Sequence, residues 1–333
     1  MKHYNIPVFV PHMGCPHDCV FCSQRTITGI EEVMTPHKAR DIIDEFLNVV
    51  KPEGFVEIAF FGGSFTGIPK EERRAFLELA SEYIKKGAVS GIRLSTRPDY
   101  ISDEILSELA YYGVTAIELG VQSMDEDVLI QSGRGHNSSC VKKAVELIRK
   151  YPFELGLQMM TGLPGDTPEK SVATAKKFAK LKPDTVRIYP TLVIKGTMLE
   201  KMYLSGKYLP WSVDDTAELL ATLKEIFDLA GIRIIRMGLQ NTEEISPDGA
   251  VVAGPFHEAM GELAENCLYL RKLEKLLENY KEPEVVIFCN NAEVSKVTGH
   301  KKCNAQKIYD KYKIKMVLKP DRKMCKGELK ILR

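Results

Sequence analysis

Apolar and polar positions alternate in a way that predicts strands and helices in turn from the start of the chain to about residue 240. Short β-rich runs bounded by Gly, Pro, Ser or Thr read as strands at Ile6–Val10, Phe55–Phe61, Gly91–Ser95, Ala116–Val121, Glu154–Met160 and Thr185–Tyr189. The intervening segments carry apolar residues at helical spacing, as in Ala39, Ile42, Ile43, Phe46 and Leu47, or Ile105, Leu106 and Leu109. Ser102-Asp103-Glu104 and Thr167-Pro168-Glu169 supply capping chemistry at helix starts. Six βα units in sequence imply a parallel sheet, curled into a barrel or doubly wound, with Ile232–Ile235 as a seventh strand at one edge.

Within the strands the alternation sorts two faces. Ile92 and Leu94 oppose Arg93 and Ser95. Ile117, Leu119 and Val121 oppose Glu118, Gly120 and Gln122. Leu155, Leu157 and Met159 oppose Gly156 and Gln158, and Val186 and Ile188 oppose Arg187 and Tyr189. The apolar sets are expected against the helices, which leaves the polar sets inside. An ordinary barrel packs Val, Ile and Leu there. A polar interior needs partners, either a polar ligand running through the lumen or an internal ion-pair network such as Arg93 with Glu118.

Past the barrel, Ala250–Tyr280 reads as helical, with an apolar stripe at Leu268, Leu270, Leu273, Leu276 and Leu277 and a structural turn at Gly254-Pro255-Phe256-His257. The last fifty residues read as strand (Val285–Cys289), helix (Val294–Val297), turn (Gly299-His300-Lys301-Lys302), helix (Ala305–Tyr312) and strand (Ile314–Leu318). The division expected is 1–240 for the partial barrel, 241–280 for a helical extension and 281–333 for a basic α/β module.

Charge changes this picture only at the end. The 333-residue chain has a formal net charge of +1, yet Asn291–Arg333 holds 13 Lys and Arg against 4 Asp and Glu. That balance of +9 leaves −8 for the remainder. A basic tail suits a polyanion, or is simply a solvated face. The 44% hydrophobic and 27% charged composition fits an ordinary globular enzyme. No run is long and apolar enough for a membrane span, and no signal-peptide core follows Met1, so a cytoplasmic protein is expected. Cys140, Cys267, Cys289, Cys303 and Cys325 have no ligand spacing and read as buried or incidental thiols.

The other three cysteines carry chemistry. Cys15-Pro16-His17-Asp18-Cys19-Val20-Phe21-Cys22 has the spacing C-x3-C-x2-C, which brings three thiolates to three corners of a cubane iron–sulfur cluster and leaves one iron open. A zinc site with His12 or His17 as fourth ligand is the competing reading. Gly62-Gly63-Ser64 follows the second strand directly, where missing side chains let backbone approach a ligand. Ser95-Thr96-Arg97-Pro98-Asp99, Gly120-Val121-Gln122-Ser123 and Gly162-Leu163-Pro164-Gly165-Asp166 end successive strands, and Gln131–His136 lies in the connection after the fourth. All can reach the C-terminal rim, where barrel active sites lie.

The cysteine run and the glycine motif resemble the radical S-adenosylmethionine (SAM) superfamily. Glu118–Ser123, Arg134-Gly135-His136, Met159-Met160, the Gly-Leu-Pro-Gly run at 162–165 and Ile188-Tyr189-Pro190-Thr191-Leu192-Val193-Ile194 look like the radical SAM domain of the Elongator catalytic subunit, over roughly residues 5–240. The resemblance implies an incomplete (βα)6-type TIM barrel, an α/β fold, holding a [4Fe–4S] cluster and SAM. It implies cluster ligation by Cys15, Cys19 and Cys22, with Phe21 shielding the cluster or stacking near adenine. Gly62, Gly63, Ser64, Ser95, Gln122, Arg134 and Gln158 would position SAM, Arg134 through a bidentate pair with its carboxylate. An electron donor of flavodoxin or ferredoxin type and a tRNA base as substrate are further implications. The cysteine spacing is tighter than in that family, and with the sequence ending at Arg333 the family's acetyltransferase domain is expected to be lacking. The Gly-Leu-Pro-Gly run is shared with oxygen-independent coproporphyrinogen oxidase, which keeps a porphyrin or other small-molecule substrate open. A non-catalytic RNA-binding protein with a structural metal is the alternative outside enzymes.

The βααβ order of the tail, with a Gly-initiated basic turn, resembles a minimal KH module, whose GXXG loop clamps single-stranded backbone. Lys302 stands in place of the second Gly. Lys296, His300, Lys301, Lys302 and Lys307 are the expected RNA contacts.

Overall fold

The computed structural model describes residues 2–10, 19–22, 33–239, 246 and 249–331. Seven strands form one all-parallel sheet: β1 (His3–Phe9), β2 (Phe55–Phe61), β3 (Gly91–Thr96), β4 (Val114–Gln122), β5 (Glu154–Thr161), β6 (Thr185–Pro190) and, after a short β7 (Val193–Ile194), β8 (Arg233–Met237). Strand order in the sheet follows chain order, β1-β2-β3-β4-β5-β6-β8. Each helical crossover therefore advances one place in the same direction. The sheet curls into a partial barrel with β1 and β8 as its edges, and every strand's C-terminal end lies on one rim.

Local chemistry fixes the crossover helices. Thr35 caps the helix Pro36–Val50 by accepting from Lys38 N, Ser102 caps Asp103–Tyr111 through Ile105 N, and Thr167 caps Pro168–Leu181 through Lys170 N. Side-chain caps of this kind satisfy backbone donors that the first turn leaves open. One strand face then buries against these helices. Ile6, Ile58, Ile92, Leu94, Ile117, Leu119, Leu155, Leu157, Val186 and Ile188 are all fully buried, and Phe60 meets Phe76 of the helix Lys70–Lys85 with ring centroids 5.8 Å apart. Each such side chain contributes about 1.5–3 kcal/mol by leaving water.

The opposite face is polar, and its lower half is satisfied from within. Arg93 donates from Nε to Glu57 Oε2 at 3.0 Å and from Nη2 to Glu154 Oε1 at 3.2 Å, while His3 Nε2 lies 2.6 Å from Glu57 Oε2. Glu118 pairs with Arg187, not Arg93. The expectation of a ligand along the whole lumen is thus corrected, because ion pairs between strands already satisfy these groups. Inner-face residues nearer the rim, including Phe61, Ser95, Gln158, Met160, Arg187 and Tyr189, are only half-buried.

The chain divides into two compact units, 1–211 with 226–256 and 212–225 with 257–333. In the first, β7 pairs antiparallel with β9 (Val251–Ala253), which corrects the reading of Ala250–Tyr280 as wholly helical. The helix begins only at Met260 and ends at Leu277. Phe256 packs beside Leu192, Ile194 and Ala250, as a structural turn should.

In the second unit, β10 (Glu284–Cys289) is flanked by β11 (Lys315–Pro320), parallel, and β12 (Leu329–Ile331), antiparallel. The helices Val294–Thr298 and Cys303–Tyr312 lie between β10 and β11 in the chain. Tyr269, Leu273 and Leu277 share one core with Val285, Ile287, Val297, Ile308 and Ile314. Gly299 takes φ +82°, and a Cβ there would meet Cys303 Sγ at 2.6 Å, so the basic turn requires glycine. The strand β12 has no counterpart in the sequence reading, since Leu329–Ile331 is too short to show alternation.

Candidate active site

Cys19 and Cys22 sit on one tight turn, closed by Cys22 N donating to Cys19 O at 3.0 Å. Two backbone hydrogen bonds hold the turn from outside: Val20 N donates to Ser132 O at 3.1 Å, and Leu199 N donates to Val20 O at 2.7 Å. Val20 and Phe21 pack on a small apolar cluster of Val193, Leu199 and Tyr208. Phe21 thus forms part of an apolar wall beside the two thiols. Cys15, with His12 and His17, lies outside the described residues.

Arg134 reaches the turn from the connection after β4. It is 6% exposed and Cys19 is 5% exposed. Its Nη1 donates to Cys19 Sγ at 3.2 Å, and its Nη2 donates to the carbonyl of Gly120 at the end of β4. The guanidinium fork is thus split between a sulfur and a carbonyl, while the buried Nε has no partner among the described residues. Arg97 in turn donates to the Arg134 carbonyl and forms a bidentate pair with Asp99, both bonds at 2.9 Å.

The other expected SAM contacts gather along the same rim. Gly62, at φ +101°, and Gly63 lead from β2 into Ser64, which is fully buried. Ser64 Oγ lies 2.8 Å from Thr96 Oγ1 and accepts from Arg97 N at 3.3 Å. On β4 a bulge between Gly120 and Gln122 turns Gln122 to φ +72°. That backbone region is costly for a residue with a side chain, and such strain clusters at functional sites. Gln158 Nε2 donates to Gln122 Oε1 at 3.3 Å across to β5. Hydrogen bonds therefore link Cys19, Arg134, Gly120, Arg97, Ser64 and Thr96 into one chain, with Gln122 and Gln158 paired beside it. Ser95 lies half-buried on the inner face of β3, opposite Glu118 in register.

Thr96 and Arg97 were not singled out from sequence, although both fall in a run that ends a strand. The strain at Gln122 had no sequence signal, because a bulge depends on the register of two neighbouring strands.

A cavity of about 630 Å³ is lined by Asp99, Leu129, Ile130, Gly133, His136 and Cys140, among others, on the connection that follows β4 and the elements beside it. Burial, reinforced by the Arg134 and Arg97 charges, pushes the His136 imidazole down to about 4. Neither of its ring nitrogens has a hydrogen-bond partner among the described residues. Burial pushes the Asp166 carboxyl up to about 6, against hydrogen bonds from Ser171 Oγ, Gly162 N and Thr167 N.

The donor set fits an iron–sulfur cluster. Cys19 and Cys22 stand on one tight turn, the Cys19 sulfur accepts from the Arg134 guanidinium, and cysteine sulfur is the ligand that such clusters use. Among the described residues no group of three or more His, Cys, Asp or Glu side chains forms a separate metal site.

The radical SAM superfamily profile matches residues 9–178, which takes in the cysteine turn and the rim through β5. The chain belongs to the radical SAM superfamily. A radical SAM C-terminal domain profile matches residues 183–269. The family shares reductive cleavage of SAM at a [4Fe–4S] cluster, so this protein is an enzyme. It is 32% identical to human Elongator complex protein 3 over 260 residues, covering 64% of this chain and 47% of that protein. It is 26% identical to the tRNA uridine(34) acetyltransferase of Dehalococcoides mccartyi over 258 residues, covering 66% of this chain and 56% of that one. The chain thus spans about half the length of these relatives. The archaeal Elp3 of Methanocaldococcus infernus, solved with an N-terminal deletion, superposes with a TM-score of 0.65 at 24% identity. It covers 81% of this chain and 63% of that one, and shows the shared fold. No helix among the described residues is long and apolar enough to cross a membrane.

Of the expected RNA contacts, Lys301 and Lys302 are exposed and hold left-handed backbone at φ +50° and +64°. Lys307 is exposed on the following helix. Lys296 is engaged, its Nζ lying 2.5 Å from Glu265 Oε2, and the His300 ring stands edge-on to His257 at 6.4 Å.

Proposed function

We propose that this radical SAM enzyme binds its [4Fe–4S] cluster through Cys15, Cys19 and Cys22 and acts on a base of RNA, with tRNA as the substrate class. The observation that carries the cluster assignment is the Cys19 sulfur, buried on a pinned turn and hydrogen-bonded by a guanidinium. When bound, the cluster supplies the electron that cleaves SAM to methionine and a 5′-deoxyadenosyl radical. That electron comes from a donor of flavodoxin or ferredoxin type.

The chain's own residues bind and orient. Gly62 and Gly63 offer bare backbone to the SAM amino group, beside a Ser64 already fixed by Thr96. Ser95, Gln122 and Gln158 present hydroxyl and amide groups suited to ribose. The paired Gln122 and Gln158 amides hold each other's orientation, so little freedom is lost when a ligand arrives. Phe21 excludes water from the cysteine turn.

The RNA reading is supported by likeness to a tRNA uridine(34) acetyltransferase and by the exposed Lys301, Lys302 and Lys307 of the basic module. Phosphate contacts from such lysines give affinity without sequence preference. The test is release of 5′-deoxyadenosine by the anaerobic, reduced enzyme with SAM, in the presence and absence of bulk tRNA. Release that rises with intact tRNA, and not with nuclease-digested tRNA, is expected. Release indifferent to tRNA contradicts the substrate assignment, and no release contradicts the SAM chemistry itself.

A further inference from the structure

We propose that Arg134 is a fixed hydrogen-bond donor to the Cys19 sulfur and thereby raises the reduction potential of the bound cluster. This rests on the assignment of Cys19 as a cluster ligand made above.

Three features make the contact a built one. First, the guanidinium is anchored at both ends, through Nη1 to Cys19 Sγ at 3.2 Å and through Nη2 to the Gly120 carbonyl. Second, the backbone that carries it is held in turn: Arg134 N donates to Leu129 O at 3.0 Å, and its carbonyl accepts from Arg97. Third, the same connection grips the cysteine turn independently through Ser132 O and Val20 N. Sulfur and guanidinium therefore cannot drift apart without breaking several other bonds.

The sign of the effect follows from electrostatics. Both partners are more than nine-tenths buried, so the positive charge is weakly screened. Reduction adds a negative charge to the cluster and its thiolates. A cationic donor on a ligating sulfur stabilises that reduced form more than the oxidised one, and hydrogen bonds to the sulfurs are among the determinants of such potentials. Arg134 is a positioning and tuning residue in this account, since it touches a ligand atom and not the reacting bond. The competing role is a mechanical strut between β4 and the cysteine turn.

The experiment is an anaerobic redox titration of the full reconstituted chain without SAM, followed by electron paramagnetic resonance. Wild type, Arg134→Gln and Arg134→Lys are compared at equal iron content. Arg134→Gln should lower the reduced-to-oxidised ratio at fixed poise about tenfold, equivalent to about 59 mV for a one-electron couple. Arg134→Lys, which keeps the charge but not the fork, should shift the same way by less. A fully loaded Arg134→Gln with the wild-type potential overturns the proposal in favour of the strut. Loss of iron from Arg134→Lys also overturns it, in favour of a role in assembly. A wild-type chain that takes up no cluster overturns this inference and the cluster assignment together, whereas an unchanged potential in loaded variants overturns this inference alone.

Discussion

Glu118 of β4 reaches across β5 to Arg187 of β6, where Arg187 Nε donates to Glu118 Oε2 at 2.7 Å. The carboxylate is 4% exposed and the guanidinium 15%. Arg187 also lies 5.6 Å from the Phe61 ring centroid and donates to the Tyr189 hydroxyl at 3.3 Å. Although burial works against it, the Glu118 carboxylate holds the Arg187 guanidinium above its ordinary value. Removing one partner of such a pair leaves a buried charge uncompensated. Glu118→Ala should therefore cost roughly 3–5 kcal/mol in urea denaturation. The double variant Glu118→Leu with Arg187→Met should recover much of that. A single substitution costing under about 1 kcal/mol would mean that water already compensates the pair.

Gly156 makes the crossing possible. A Cβ at that position would lie 3.1 Å from Glu118 Cγ and 3.1 Å from Thr185 Oγ1. Gly156→Val should overpack the inner face and cost about 1–3 kcal/mol. The thermal midpoint should fall, and the loss should shrink in a Glu118→Ala background. Equal losses in both backgrounds would show that Gly156 is needed for some other reason.

Much of the sheet was legible in sequence because each strand carries its own alternation and each crossover its own cap. Ile117 and Leu119 against Glu118 and Gly120 assigned two faces without any structure. The partners of the polar face were not legible: Arg93 takes Glu57 and Glu154, and Glu118 takes Arg187, choices set by register between strands. The same limit hid β9, which exists only because Val193 and Ile194 offer it an edge. In the site, the cysteine spacing and Gly62–Gly63 were visible as local patterns. The split engagement of Arg134 required two distant elements to meet, and no local pattern encodes that.

His136 sets a pH dependence. The folded protein keeps the imidazole neutral down to about pH 4, whereas the unfolded chain protonates it near 6.5. The unfolded state therefore binds the extra proton between these values. This group's contribution to stability is present above about pH 6.5 and is lost as pH falls toward 4, by at most about 1.4 kcal/mol per pH unit. His136→Leu should be progressively more stable than wild type as pH drops through that window. Parallel stability profiles for the two proteins would contradict the assignment.

The basic turn can be tested by salt. If Lys301 and Lys302 contact phosphates, Lys301→Glu with Lys302→Glu should weaken tRNA binding by the full chain. It should also reduce the slope of log affinity against log salt by about 1.5–2. SAM cleavage without tRNA should not change. Equal slopes for both proteins would assign these lysines to solvation alone.

The most direct test of the account is the metal content of the anaerobically reconstituted chain, with Cys15→Ala, Cys19→Ala and Cys22→Ala beside it. Wild type should be brown and hold about four irons and four sulfides per chain, and each single substitution should abolish a stable cluster. Cys140→Ala and Cys325→Ala should leave the spectrum as it was. A colourless wild-type protein carrying one zinc and no sulfide would contradict the central claim.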